Sequence, residues 1–299
     1  MENPEKNIGN FISEKAKTDF YQAYNEAISQ LPKPNKINNI KTQYGIVSVY
    51  SFYKKENEHK EPLLLLPGRS ASTPMWKPNL EGLMKERPVY TIDALGEPGM
   101  SEQTRRIENR FDQAKWLHEV LVHLKLEKVH LMGVSFGGWN AMNLALLHPQ
   151  QIASISLLDP VFVFEPISFK MIAASIPASI PFVPKFIREK MLSYISGGAE
   201  VNDSDPIAKL IESGMSNYKV KLPIPAPFKD SELEDLDVPI LAIMAGKSTM
   251  HNSEKAVKRG KKLVRNIQIE VWPDASHAIN GEFPDEVNEK IISFIQNAA

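Results

Sequence analysis

Apolar positions along the chain follow two alternating patterns, short continuous runs and longer stretches at helical spacing. The runs are bounded by polar or turn residues, which is typical of buried strands. They are Leu63–Leu66, Val89–Ile92, Val129–Met132, Ile155–Leu158, Pro239–Ala245 and Ile267–Trp272. The main helical stretches are Phe111–Leu124, Gly137–Leu147, Glu254–Val264 and Asp285–Ile295. This alternation predicts an α/β fold with a mostly parallel central sheet that is flanked by helices on both faces.

The beginning of the chain follows a different pattern. Apolar positions within residues 11–31 recur at helical spacing up to Pro32, which predicts an amphipathic helix. Two β-rich segments follow, Ile37–Tyr44 and Val47–Tyr53, and they predict an antiparallel hairpin. We therefore expect residues 1–36 to form an N-terminal helical extension in front of the α/β core.

One long interval interrupts the alternation. Residues 161–235 separate the run that ends at Leu158 from the next run, which is far more chain than a strand-to-helix connection requires. Eight of the 22 prolines lie in this interval. We expect it to form a helical cap or lid inserted into a core built from residues 37–160 and 236–299.

The composition narrows the chemistry. The chain has no cysteine, which excludes disulfides, thiolate zinc sites, iron–sulfur clusters and a cysteine nucleophile. Its 35 basic and 36 acidic residues nearly cancel, which argues against nucleic acid as the main partner. The first residues show no signal peptide, and prolines interrupt the longest apolar stretch, Met171–Ile187. We expect a cytoplasmic protein without stable membrane insertion, and the sequence leaves the oligomeric state open.

A serine motif follows one of the predicted strands. Residues Gly133–Gly137 read G-x-S-x-G, between the run Val129–Met132 and a helical stretch that begins with small residues. A sharp strand-to-helix turn exposes a serine oxygen above the sheet, and the glycines permit the close approach of strand and helix. The N-terminus of the helix adds a positive dipole where negative charge would develop. This context predicts Ser135 as a nucleophile.

These features resemble the α/β-hydrolase superfamily from about residue 37 to the C-terminus. The segment Asp93–Ser101 resembles the superfamily's D-x-x-G-x-G-x-S loop with one extra residue. The tracts Ser72–Asn79 and Tyr21–Glu26 are similar to those of bacterial carboxylesterases of the NP type. The resemblance implies the α/β-hydrolase fold with an inserted helical cap.

A serine hydroxyl is a weak nucleophile until a base removes its proton. His277 follows the last predicted strand and precedes the C-terminal helix, on a loop expected at the carboxyl edge of the sheet. We predict His277 as this base. His251, which also lies on a predicted loop, remains open as a substrate contact.

The acid departs from the family pattern. The family usually places Asp or Glu a few residues after the strand corresponding to Pro239–Ala245, and Thr249 occupies that position here. Asp159 ends the run after the nucleophile strand, as the acid does in pancreatic-type lipases and several dehalogenases, and we predict that it replaces the missing acid. Glu254 is the rival, and an aspartate that only begins a turn before Pro160 is the simpler alternative.

An acyl-transfer site also requires backbone donors for the oxyanion. The N–H of Phe136, directly after the nucleophile, is the first predicted donor. The second is expected from the loop after Leu63–Leu66, where the main chain of Arg69 follows Gly68. The family commonly has His-Gly at this point, so Pro67 is a second departure.

Together these residues imply a serine hydrolase that acts on carboxylic esters through a Ser-His-Asp triad and an acyl-enzyme intermediate. A small-molecule ester is the expected substrate, and no metal or organic cofactor is implied. Two alternatives remain open. The same site would also suit an acyltransferase or a hydrolase of C–C or amide bonds. Pro67 and Thr249 would also suit a hydrolase-like binding or signalling protein with little turnover.

Overall fold

The computed structural model of the chain describes residues 7–171 and 205–298. Its strands are β1 (Asn10–Phe11), β2 (Lys36–Thr42), β3 (Gly45–Phe52), β4 (Leu63–Leu66), β5 (Val89–Ile92), β6 (Glu102–Gln103), β7 (Val129–Val134), β8 (Ile152–Leu158), β9 (Tyr218–Lys219), β10 (Ile240–Ala245) and β11 (Ile267–Trp272). Its α-helices are α1 (Glu14–Ile28), α2 (Lys77–Met84), α3 (Arg110–His123), α4 (Phe136–Leu147), α5 (Pro206–Asn217), α6 (Asp230–Glu234), α7 (Ser253–Leu263), α8 (Ile279–Glu282) and α9 (Pro284–Ala298).

Nine of the described strands form one large sheet in the order β11-β10-β8-β7-β4-β5-β3-β2, with β6 paired to β3, and β1 and β9 form a separate two-stranded sheet. The strands from β11 to β5 run parallel, whereas β3 and β2 are antiparallel to their neighbours. The carboxyl ends of parallel strands meet at one edge, so the loops after β4, β7, β8, β10 and β11 lie close together there. The predicted fold class and the hairpin of β2 and β3 are confirmed.

Burial on both faces of the sheet explains why its strands read as continuous apolar runs. In β4 all four leucines are buried, with Leu64 and Leu66 in one apolar cluster and Leu63 and Leu65 in the other. The first cluster includes residues of α3, α4 and α7, and the second includes residues of α1, α2 and α9. Helices therefore cover both faces, because successive side chains of a strand point to opposite sides.

The N-terminal extension packs on the sheet and on part of the predicted cap. Ser13 caps the N-terminus of helix α1, because its hydroxyl accepts a 3.1 Å hydrogen bond from the N–H of Ala16. It buries Phe20 and Tyr24 against the core. Strand β1 pairs with β9, and α1 packs on α5, so the extension reaches residues of the interval 161–235.

Residues 172–204 of that interval lie outside the described residues, as does most of the apolar stretch that begins at Met171. The division into extension, core and cap therefore stays a prediction. Among the residues that are described, no helix has both the length and the apolar character needed to cross a lipid bilayer.

Candidate active site

Ser135 lies at the turn between β7 and α4, at the carboxyl edge of the sheet. Its backbone has φ of 54° and ψ of −117°, a conformation that residues other than glycine rarely adopt. The surroundings hold this conformation, because the N–H of Ser135 donates to the carbonyl of Leu158 at 3.0 Å and its own carbonyl accepts from Gly138 at 3.1 Å. The strained turn directs the hydroxyl away from the strand and toward the neighbouring loops.

The glycines of the motif are required by close packing around this turn. A Cβ atom on Gly133 would lie 2.5 Å from the backbone nitrogen of Gly138. A Cβ on Gly137 would lie 2.6 Å from the carbonyl oxygen of Pro67 and would also collide with the carbonyl of Leu66. Helix α4 therefore reaches the backbone at the end of β4 only because these positions have no side chain.

His277 lies on the loop after β11 and joins Ser135 to Asp159. Its Nε2 atom is 2.9 Å from the hydroxyl oxygen of Ser135, and its Nδ1 atom is 2.5 Å from Oδ2 of Asp159. A neutral imidazole that donates from Nδ1 to a carboxylate leaves Nε2 free to accept a proton. In this tautomer, which follows from the hydrogen-bond partners, His277 is arranged to receive the proton of Ser135.

Asp159 follows β8 directly and is fully buried. Its backbone also has a positive φ, 41°. Oδ1 accepts from the N–H of Ala245 at 3.0 Å, and Oδ2 accepts from the hydroxyl of Ser248 at 2.6 Å in addition to His277. Burial alone would raise the pKa of Asp159, but its contacts with His251 and His277 outweigh burial and hold the pKa below its usual range. The carboxylate is therefore ionised at neutral pH.

The structure separates Asp159 from the other candidate acid. Thr249 occupies the position where the family usually has its acid. Its backbone carbonyl accepts a 2.9 Å hydrogen bond from the hydroxyl of Ser168. Glu254 is exposed in the first turn of α7. In the described part of the chain, Glu254 forms neither a hydrogen bond nor an ion pair with His277. The structure thus brings together Ser135, Asp159 and His277, and it leaves Glu254 outside this group.

Both predicted oxyanion donors lie beside Ser135. Phe136 is the first residue of α4, so its N–H is at the positive end of the helix. A Cβ on Gly68, the residue before Arg69, would lie 3.6 Å from Cβ of Ser135, which places that loop against the serine. Within residues 7–171 and 205–298, neither the N–H of Arg69 nor that of Phe136 donates to a protein acceptor. The two N–H groups are therefore available to a substrate oxygen.

A buried carboxylate that sequence reasoning missed holds the loop of Arg69. Oε1 of Glu97 is 2.6 Å from the guanidinium of Arg69, and Oε2 accepts from the N–H of Ser70 at 3.0 Å. Burial raises the pKa of Glu97, and Arg69 and the Ser70 N–H offset part of that rise. The Arg69 guanidinium also lies 4.1 Å above the ring of Phe136. The signal in the sequence was the extra residue in the segment Asp93–Ser101, which contains Glu97.

The described residues contain no cluster of side chains that could bind a metal ion. No group of three or more His, Asp or Glu side chains there is placed to hold a metal ion. The hydroxyl of Ser135, the ring of His277 and the carboxylate of Asp159 form one hydrogen-bonded row, and the backbone N–H groups of Arg69 and Phe136 lie beside the hydroxyl. Such a row can activate a hydroxyl toward a carbonyl carbon and stabilise the negative oxygen that forms.

Comparison with known proteins agrees with the fold. Residues 61–187 match the family described as the alpha/beta hydrolase fold. In Bacillus subtilis (strain 168), the carboxylesterase YbfK is 28% identical over 92% of this chain and 93% of its own length. The uncharacterised carboxylesterase nap of the same organism is 29% identical over 92% of this chain and 91% of its own length. The crystal structure of naproxen esterase (carboxylesterase NP) from Bacillus subtilis superposes with a TM-score of 0.85 at 27% identity, covering 93% of this chain and 98% of that one.

Proposed function

Because this chain has the α/β-hydrolase fold and resembles the bacterial carboxylesterases of the NP type, we propose that it is an enzyme that hydrolyses carboxylic esters. In this proposal Ser135 is the nucleophile, His277 is the general base and acid, and Asp159 orients His277. The observation that carries it is the continuous row of hydrogen bonds from the hydroxyl of Ser135 through both nitrogens of His277 to the buried carboxylate of Asp159.

The first half of the proposed reaction acylates the enzyme. The oxygen of Ser135 attacks the ester carbonyl carbon while Nε2 of His277 takes the serine proton. The carbonyl oxygen becomes negative, and the N–H groups of Arg69 and Phe136 hold it. When the tetrahedral intermediate collapses, the bond to the alcohol oxygen breaks and His277 returns its proton to that oxygen. The alcohol leaves, and the acyl group remains on Ser135.

The second half releases the acid with the same groups. Water attacks the acyl carbon, and His277 takes a proton from that water. Collapse of the second intermediate breaks the bond to Ser135, which regains its proton from His277, and the carboxylic acid departs. Asp159 stays ionised throughout and stabilises the positive charge that His277 carries in each half.

We also propose that the interval 161–235 forms a cap beside the site. Support comes from α5, whose Gly214 leaves no room for a Cβ atom, since such an atom would lie 3.0 Å from the carbonyl of Ser70. Further along, the carbonyl of Ala226 accepts a 3.1 Å hydrogen bond from the indole of Trp139, in the helix that begins after Ser135. The interval thus contacts two of the elements that surround the serine.

The activity is tested with a p-nitrophenyl ester and the variant Ser135→Ala. Without the nucleophile, kcat is expected to fall by at least about 10³-fold, because the remaining donors accelerate attack by water only modestly. Ser293→Ala is the matched control, since Ser293 is exposed on α9. Equal activity of Ser135→Ala and the active wild-type protein would refute the proposal.

A fluorophosphonate probe separates an enzyme from a hydrolase-like binding protein. Rapid labelling of Ser135 in the folded protein would favour an enzyme, because the probe reacts only with an activated serine. Folded protein that takes up no label would favour a binding role.

A further inference from the structure

The carboxylate of Asp159 lies between two histidines, and the proposed reaction uses only one of them. Nε2 of His251 is 3.2 Å from Oδ1 of Asp159, on the opposite oxygen from the one that contacts His277. The side chain of His251 is only 1% exposed. A buried polar ring against the acid requires a physical explanation, because an unpaired buried polar group costs free energy.

The tautomer of His251 follows from its surroundings. Nδ1 of His251 has no hydrogen-bond partner among the described residues. A proton on Nδ1 would be a buried donor without an acceptor, whereas a proton on Nε2 faces a carboxylate oxygen. The tautomer with its proton on Nε2 is therefore favoured over the one with its proton on Nδ1, and its contact with Asp159 is electrostatic, since the N–H is not well aligned with Oδ1.

Three of the four polar contacts of Asp159 come from one short piece of chain. The N–H of Ala245 and Nε2 of His251 face Oδ1, and the hydroxyl of Ser248 faces Oδ2. All three belong to the end of β10 and the loop that follows it. In the family pattern this loop carries the catalytic acid, and in this chain Thr249 occupies the position of that acid.

We propose that Ser248 and His251 are positioning residues that orient the carboxylate of Asp159 toward His277. The loop after β10 supplies donors to an acid that has moved to the end of β8. With partners on both oxygens, the carboxylate cannot rotate away from Nδ1 of His277. This inference rests on the proposed function, since it concerns the orientation of the proposed base.

Few other charges face this group. The titratable side chains in contact with Asp159 are His251 on the loop after β10 and His277 on the loop after β11. In the described residues, no Lys or Arg forms an ion pair with any of these three. A change in the pH profile of a His251 variant therefore reports on the Asp159–His277 pair.

The test compares His251→Leu, Ser248→Ala and His251→Gln with the wild-type protein on a p-nitrophenyl ester. For His251→Leu and Ser248→Ala, kcat is expected to fall about tenfold each, as loss of one contact to a charged group implies. KM is expected to stay within about twofold, because neither residue touches the substrate in this account. His251→Gln retains an N–H donor and is expected to recover most of kcat.

The pH profile of kcat/KM supplies a readout that a merely structural role would not move. Without His251 the carboxylate is held less firmly against Nδ1 of His277, so it stabilises protonated His277 less. The acid limb of His251→Leu is therefore expected at lower pH than in the wild-type protein. His130→Gln is the matched control for loss of a buried histidine, since His130 is 1% exposed at the far end of β7, and its kcat and acid limb are expected to match the wild type.

Two outcomes would overturn the inference. One is folded His251→Leu and Ser248→Ala with kcat within about twofold of the wild type and an unshifted acid limb. The other is a loss of kcat in His251→Leu that His251→Gln does not recover. Neither outcome bears on the proposed function, which is tested separately by the ester activity of Ser135→Ala.

Discussion

At the scale of single residues, the proposed site depends on an acid at an unusual position in the chain, after β8 instead of after β10. Asp159 is buried after β8, and its two oxygens face Ala245, Ser248, His251 and His277. A carboxylate with this many donors is held ionised and in one orientation. We expect such an acid to contribute by fixing the tautomer and orientation of His277.

Asp159→Asn tests that contribution. Both carboxylate oxygens of Asp159 accept hydrogen bonds, whereas the asparagine amide has an NH₂ donor in place of one of them. That donor would face either His277 or the loop after β10. We expect kcat to fall by about 10³–10⁴-fold, because His277 would be held in the wrong tautomer. Steady-state kinetics on a p-nitrophenyl ester measure this, with Glu254→Gln as the control for loss of an acid. Comparable losses in both variants would show that Asp159 has no special role.

The sequence predicted the residues of the site unevenly. Ser135 and His277 each follow an apolar strand run. The G-x-S-x-G motif identifies Ser135, and the position after the last predicted strand identifies His277. Asp159 was predicted from its place after a strand, because parallel strands bring their carboxyl ends together. Ser248 was missed because a hydrogen bond between two loops leaves no periodic or motif signal in the sequence. Glu97 was missed because the extra residue of its segment does not show which group its carboxylate contacts.

At the scale of secondary-structure elements, the strands that consist of continuous apolar runs were predicted well, whereas several elements without such a run were missed. Strands β4, β5 and β11 have the predicted bounds, because continuous apolar runs end where the polar loops begin. Strands β1 and β9 were missed, since they are two residues each and exist only through their pairing with one another. Helix α2 was missed as well, and it lies within and beyond the tract that carries the family resemblance.

The junction of α4 with β4 predicts a strong dependence on Gly137. In Gly137→Ala the added Cβ would collide with the carbonyls of Leu66 and Pro67, so α4 would have to move away from the loop of Arg69. We expect a loss of about 1–3 kcal/mol in the free energy of unfolding, together with reduced kcat, as overpacking implies. Urea unfolding and ester kinetics measure the two effects.

Gly281→Ala is the matched control for this variant. A Cβ on Gly281, in helix α8, would meet no atom within 4 Å. Its stability and kcat are expected to stay near those of the wild-type protein. Equal effects of the two substitutions would contradict the packing account of the motif.

At the scale of the whole molecule, the sheet determines where chemistry can occur. Its parallel strands bring four loops to one edge around Ser135, and both faces are closed by helices. The fold class was predictable because alternating apolar runs and helices admit few other arrangements. The packing of α1 on α5 was not predictable, because contacts between distant surface elements leave no local pattern.

A buried histidine near the amino end of β7 is expected to make the folded protein less stable in acid. His130 is buried in β7, where burial and the nearby Arg87 lower its pKa to about 4. In the unfolded chain the pKa of this histidine is near its ordinary value. As the pH falls, the unfolded chain therefore binds a proton at a higher pH than the folded protein does. Stability is therefore lost between pH of about 6.5 and about 4, by about 2–3 kcal/mol from this residue.

Urea unfolding at several pH values measures this effect in the wild-type protein and in His130→Gln. Glutamine retains polar groups that can bond the hydroxyl of Ser154, which lies 2.8 Å from Nδ1 of His130, but it does not titrate. The variant is expected to lose less stability than the wild type between neutral pH and about pH 4. Parallel pH curves for the two proteins would show that His130 stays accessible to protons in the folded state.

In the proposed mechanism Ser135 carries the acyl group during ester hydrolysis. The most direct measurement is the mass of the protein quenched during turnover of a p-nitrophenyl ester, followed by mapping of the modified peptide. We predict an increase equal to the acyl group, located on Ser135, in the wild-type protein and no such increase in Ser135→Ala. An acyl group on another residue, or the same adduct in Ser135→Ala, would contradict the proposed mechanism.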